Sequence, residues 1–187
     1  YKVNNGSDMT VSTVGSNNIV NVPVSTATAG SFVYTLVSVK DSSSTACVQL
    51  QTGTATVTIN PLPTASITAT GPVCKGDKTV PLVTFTGANG TPPYTFTYSL
   101  NAISNLTVST TSGNSVSIPV STAASGNFVY RLVSVKDSSS SACSQTQTGT
   151  ATVIINPIPT ATITTNTTAV CKGGTAPTIT FTGGGSV

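Results

Sequence analysis

The side chains able to do chemistry in this sequence are few, and their spacing is repetitive rather than convergent. There are four cysteines (Cys47, Cys74, Cys143, Cys171), four aspartates (Asp8, Asp41, Asp77, Asp137), no histidine and no glutamate. General acid–base catalysis wants an imidazole or paired carboxylates. Asp41 and Asp137 occupy the same place in two copies of one segment, so they form no dyad, and no serine has a histidine to activate it. A zinc site lacks both His and a C-x-x-C pair, and the D-x-D-x-D run that feeds a calcium shell is missing. The residues therefore imply no enzyme, no metal and no cofactor. Asp41 and Asp137 each precede a serine run and are expected to cap the turn before a strand by accepting nearby backbone amides. The run Ser138 to Ser141 offers donors without an aromatic platform. Tyr94, Phe96 and Tyr98 alternate with polar residues, which assigns them to a core. A carbohydrate-binding module is thus the third reading, and it requires a concave aromatic patch on the surface.

The elements that position these residues come twice. Phe128 to Pro159 reads FVYRLVSVKDSSSSACSQTQTGTATVIINPIP, and 96 residues earlier Phe32 to Pro63 reads FVYTLVSVKDSSSTACVQLQTGTATVTINPLP. A self-match of this length marks a tandem array, and a period of about 96 residues fits one small all-β domain. Pro61 matches Pro157, Cys47 matches Cys143, Phe85 matches Phe181, and Cys74 matches Cys171 after a one-residue insertion. Residues 61–156 are therefore one complete repeat, 1–60 the later part of a preceding one, and 157–187 the opening of a following one. Within the complete repeat, period-two runs predict strands around Ala65–Ala69, Val83–Phe85, Tyr94–Leu100, Leu106–Val108, Val116–Val120 and Ala151–Ile155. Pro119 needs an edge. Phe128 to Val135 is apolar in both phases, as a central strand is. Six or seven short strands predict an all-β, immunoglobulin-like β-sandwich, although the buried Trp of antibody domains is absent.

Composition narrows the class further. Only 6% of the residues are charged and 37% are hydrophobic, which excludes a charge-rich disordered chain. The seven basic residues are dispersed, so nothing concentrates a field for nucleic acid. No apolar run is long enough for direct membrane insertion. The sequence opens on Tyr1 without a signal peptide and reads as an internal piece of a longer secreted product.

The joints read Asn60-Pro61-Leu62-Pro63 and Asn156-Pro157-Ile158-Pro159. Pro61, Pro63, Pro157 and Pro159 fix φ and leave little slack, which predicts a stiff spacer rather than a Gly/Ser tether. The same prolines also protect a strand edge. If the turn after the first strand and the turn before the last share one end of the sandwich, Cys74 and Cys143 pair within the complete repeat. A bridge there would stabilise by roughly 4 kcal/mol on the chain-entropy model; buried free thiols are the alternative. Cys47 and Cys171 then find partners outside the fragment or in a neighbouring chain. Val187 aligns with Thr91 and Tyr1 with Tyr98, so a tail joined to a head lacks only the equivalent of Pro92 to Thr97. Either the chain is a window on a long array, or identical chains complete one another by strand exchange. Asn5, Asn89, Asn105 and Asn166 head N-x-S/T sequons and are candidate glycosylation positions.

The elements V-C-x-G, T-F-T-G, P-Y-T-F-T-Y and T-G-T-A-T-V resemble the PKD-like, immunoglobulin-like repeats of giant Bacteroidetes surface proteins, including gliding-motility adhesins. The resemblance covers the whole chain. It implies export by the type IX system and display at the cell surface. The sequence reading is then a non-enzymatic stalk or fibre segment for adhesion or surface contact. Its partners are neighbouring repeats or identical chains, with an external surface or glycan beyond them. A self-assembling filament subunit is the alternative.

Overall fold

The computed structural model describes residues 1–15 and 18–185, with Ser104 described by its backbone. Val187, aligned above with Thr91, lies outside them. The described chain is all-β. Strands in 1–60 are β1 (Lys2–Val3), β2 (Gly30–Thr35), β3 (Ser38–Lys40), β4 (Val48–Leu50) and β5 (Thr54–Ile59). Residues 61–156 carry β6 (Thr64–Ala69), β7 (Val73–Cys74), β8 (Leu82–Ala88), β9 (Thr95–Leu100), β10 (Ile103–Ser109), β11 (Ser115–Pro119), β12 (Gly126–Lys136) and β13 (Ser144–Asn156). The tail carries β14 (Thr160–Thr165) and β15 (Ile179–Gly184).

In 61–156 the β-branched, alternating runs build two sheets. One has the order β11-β8-β6 and the other β10-β9-β12-β13-β7. All pairings in them are antiparallel except β13 with β7, which is parallel. Phe85 on the first sheet meets Phe96 at 5.6 Å and Tyr98 at 5.0 Å between ring centroids on the second. The sheets therefore pack face to face as a β-sandwich. Every buried hydrophobic side chain of the core lies between Val83 and Ile155, so this stretch encloses its own core. As the alternation predicts, Tyr94, Phe96 and Tyr98 point inward, and β12 sits centrally between β9 and β13. Pro119 ends an edge strand. In the second sheet the edge strand β10 slips register between Ile103 and Leu106, an irregularity of the bulge type. Outward faces carry hydroxyl pairs across strands, Thr84 with Ser117 at 2.7 Å and Thr86 with Ser115 at 2.9 Å. Such pairs hold strand to strand where the sequence has few charges to offer.

The flanking segments repeat this geometry register by register. Gly30 faces Ile59 as Gly126 faces Ile155, and Lys40 faces Val48 as Lys136 faces Ser144. Thr160 faces Gly184 as Thr64 faces Ala88. Even a side-chain contact recurs: Asn4 and Asn101 each accept the amide of a β2 or β12 valine at 2.8 Å. The packing does not recur. Phe85 is fully buried, whereas its counterpart Phe181 is 76% exposed because the tail hairpin has no opposing sheet.

Gly87 reports that difference directly. A Cβ at Gly87 would lie 2.6 Å from the Tyr94 ring, whereas at its counterpart Gly183 it would meet nothing within 4 Å. Tyr94 is buried and has no room to retreat. Gly87→Ala is expected to lower stability by about 1–3 kcal/mol through overpacking. Gly183→Ala is expected to stay within about 0.5 kcal/mol of wild type. Urea unfolding followed by tyrosine fluorescence reads both.

Candidate functional site

Polar side-chain contacts between separate segments of the chain gather at the joint ahead of β6. Asn60 closes the preceding segment, and its Nδ2 donates to Ser141 Oγ at 2.8 Å and lies 3.5 Å from Ser140 Oγ. Pro63 is fully buried. Its carbonyl accepts from Gln147 Nε2 at 3.5 Å, and Gln147 Oε1 accepts the Ala65 amide at 3.1 Å. The joint is therefore tied by hydrogen bonds on both sides of its prolines. The sequence marked Asn60 and the prolines as the joint, but not the contact of Asn60 with Ser141 or the role of Gln147. Their recurrence as Asn156 and Gln51 was the available signal.

Beneath the joint lies Asp137, which is buried despite its charge. Its Oδ2 accepts the Thr91 amide at 3.1 Å, and its Oδ1 accepts the Ser139 hydroxyl at 2.8 Å and the Ser139 amide at 3.3 Å. Burial pushes this carboxyl up. The hydrogen bonds from the Ser139 hydroxyl and from the Thr91, Ser139 and Cys143 amides outweigh it and hold the group below the ordinary carboxylate range. Gly90 lies against the same carboxylate, since a Cβ there would come within 2.8 Å of Asp137 Oδ2 and 3.0 Å of Pro63. Tyr94 completes the knot by donating its hydroxyl to the Gly90 carbonyl at 2.7 Å. The turn-capping role expected for both Asp41 and Asp137 is what the structure shows. Asp41 Oδ1 accepts the Ser43 hydroxyl at 2.7 Å and the Cys47 amide at 2.9 Å. The Ser43 hydroxyl chiefly, with the Ser43 and Cys47 amides, lowers its pKa against burial.

The cysteines require a correction. The expected Cys74–Cys143 bridge is not formed, and all four cysteines are free thiols. The reason is the direction of β7. It runs parallel to β13, so Cys74 is the register partner of Asn156 at the end of that strand. Cys143 stands just before Ser144, where β13 begins. The 13 residues of β13, at ~3.3 Å each, place the two thiols about 40 Å apart. A disulfide needs Cα atoms within about 7 Å. The turn after the first strand and the turn before the last thus lie at opposite ends of the sandwich. The same geometry, carried over the repeat, separates Cys171 from Cys47 in any domain the two segments would share.

The Ser141 hydroxyl lies 3.2 Å from Cys143 Sγ, and Thr45 Oγ1 lies 3.3 Å from Cys47 Sγ in the same arrangement. The Thr45 hydroxyl first and Ser43 next hold the Cys47 thiol below its usual range, against a small opposing effect of burial. Around it lies a hollow of about 360 Å³ lined by Val39, Asp41, Cys47, Val48 and Gln49. In 61–156 the counterpart of Asp41, Asp137, has Gly90 packed against it beside Pro63. Asn5, Asn89, Asn105 and Asn166 are all exposed, and Asn89 Nδ2 donates to Thr64 Oγ1 at 3.1 Å beside the joint. Among the described residues no three of His, Cys, Asp or Glu gather to hold a metal ion. No known protein-family model matches the chain, and no curated protein matches it.

Asp137 makes the joint acid-sensitive. Its carboxyl titrates near 3.9 in the unfolded chain and lower in the folded one. Its contribution is therefore fully present above the unfolded value and is lost as pH falls through the folded value. Wild type is expected to lose stability relative to Asp137→Asn as pH drops from about 5 to 2. Unfolding midpoints of the two proteins across that range test it, and parallel curves refute it.

Proposed function

We propose that this chain is a non-enzymatic segment of a long extracellular fibre or adhesin stalk, built from immunoglobulin-like, PKD-like units in series. The units act as stiff spacers for adhesion or surface contact. One observation carries the reading. The register of 61–156 recurs in the strand pairs of the segments before and after it, and the joint ahead of it is tied by the Asn60–Ser141 hydrogen bond. Neighbours in such an array are identical units, so a single joint design serves throughout. The resemblance of the sequence to Bacteroidetes surface repeats supports display outside the cell, with export of the type IX kind. β13 runs from one end of the unit to the other, and its 13 residues span about 43 Å at ~3.3 Å each. That length sets the advance per unit along the rod.

A second reading is supported by the tail. Ile163, Ile179 and Phe181 expose the face that Ile67, Val83 and Phe85 turn inward in the complete unit. A filament of identical chains, each tail completing the next head, would cover that face.

The stiff joint is tested by small-angle scattering of the chain in reductant. Wild type is expected to scatter as one extended shape. Asn60→Ala combined with Pro61→Gly is expected to broaden it into a flexible ensemble. A wild type that already scatters as a flexible tether refutes the spacer reading. Sedimentation in reductant separates the second reading: association that rises with concentration and is abolished by Phe181→Asp would support the filament.

A further inference from the structure

The position that rules out a bridge inside the unit points to one between units. Cys74 pairs in register with Asn156, the last residue before a joint, and the Lys75 amide donates to the Asn156 carbonyl at 2.8 Å. Register partners in a parallel pair sit ~4.8 Å apart and turn their side chains to the same face. Asn60 is the counterpart of Asn156, and it is seen across its joint. Its amide reaches Ser141 Oγ at 2.8 Å, and that oxygen is 3.2 Å from Cys143 Sγ. A cysteine of the Cys74 kind in the unit before Asn60 therefore stands one strand spacing from a side chain already in contact with the neighbourhood of Cys143.

We propose that successive units are stapled by a disulfide across the joint, from the Cys74 position of one unit to the Cys143 position of the next. Cys74 and Cys171 are cysteines of the first kind, and Cys47 and Cys143 of the second. Every cysteine of the sequence then has a partner one unit away and none within its own unit. The inference rests on the reading of the chain as units in series. Both kinds are accessible: Cys47, Cys74 and Cys171 are exposed and Cys143 is half-buried. The hydroxyl beside each acceptor thiol recurs as Thr45 and Ser141. At Cys47 that contact favours the thiolate, the species that attacks.

The chemistry is exchange with a small disulfide oxidant. One thiolate attacks the oxidant and releases its first half as a thiol. The second protein thiolate then attacks the mixed disulfide and releases the other half. The oxidant's S–S bond breaks, the protein S–S bond forms, and the two thiol protons leave with the reduced halves.

The test extends the full chain by a copy of its own residues 92–156, which completes the unit begun at 157–187. Oxidised glutathione is then applied to dilute protein and the linked peptides are mapped. The expected product joins Cys74 to the appended copy of Cys143 and consumes two of the five thiols. It is lost in Cys74→Ser and kept in Cys171→Ser. A link from Cys171 to the appended cysteine, or five free thiols in a chain that unfolds cooperatively in reductant, overturns the proposal. If the extended chain does not fold, Asn60→Cys in the original chain decides. Bridging of the introduced thiol to Cys143 upholds the juxtaposition, and its absence overturns it. A joint that scatters as stiff in reductant yet forms no bridge defeats this inference alone, whereas a flexible joint in reductant defeats the reading beneath it.

Discussion

The sandwich depends on one contact between sheets, the packing of Phe85 against Phe96 and Tyr98. Each strand of the unit is too polar on its outer face to be stable alone, and only the inward residues provide a driving force. Phe85 brings β8, and through it β6 and β11, onto the face of β9 and β12. Where the opposing sheet is missing, the hairpin β14–β15 keeps its register but loses all burial, and Phe181 is left to solvent. Hydrogen-bonded pairing is thus local and robust here, while the core is a property of a whole unit. Tyr94 links the two scales, since its ring fills the space over Gly87 and its hydroxyl ties the Gly90 turn.

Much of this was legible in the sequence because alternation reports a two-faced strand directly. The runs around Ile67, Phe85, Phe96 and Val153 placed their strands, and Pro119 announced its edge. Three things were not legible. β7 is two residues long, so Val73 and Cys74 carry no periodicity, and nothing local says that they pair in parallel with β13. That single pairing reversed the placement of the cysteines. β13 begins at Ser144 among Gln, Thr and Gly, residues that give a weak strand signal, and only pairing to β12 extends it so far. Burial of Asp137 was hidden too, because a capping aspartate looks the same in sequence whether its turn faces water, as Asp41 does, or supports a neighbour.

That contrast between Asp41 and Asp137 explains how one sequence element serves two situations. The carboxylate is satisfied by its own turn in both, through the serine two residues on. Where the first hairpin of the unit is present, the Thr91 amide is added, and Gly90 and Pro63 close over the group. The turn is therefore prepared before the joint is made, and the joint shields a charge that is already solvated by protein. Leaving that carboxylate without donors would be costly, which is a physical reason for a serine at the same offset in each copy.

The irregular edges of the sandwich have a consequence for crowding. With 6% charged residues and a net charge of +3, electrostatic repulsion between neighbouring molecules is modest. Any straight, open strand edge would recur once per unit along a fibre, and lateral annealing would multiply with length. On the side of the sandwich where β10 and β11 are the edge strands, the slip between Ile103 and Leu106 interrupts one edge and Pro119, which has no N–H, ends the other. If such units are joined in series as proposed above, that interrupted side repeats with them, and each added unit brings no straight open edge there.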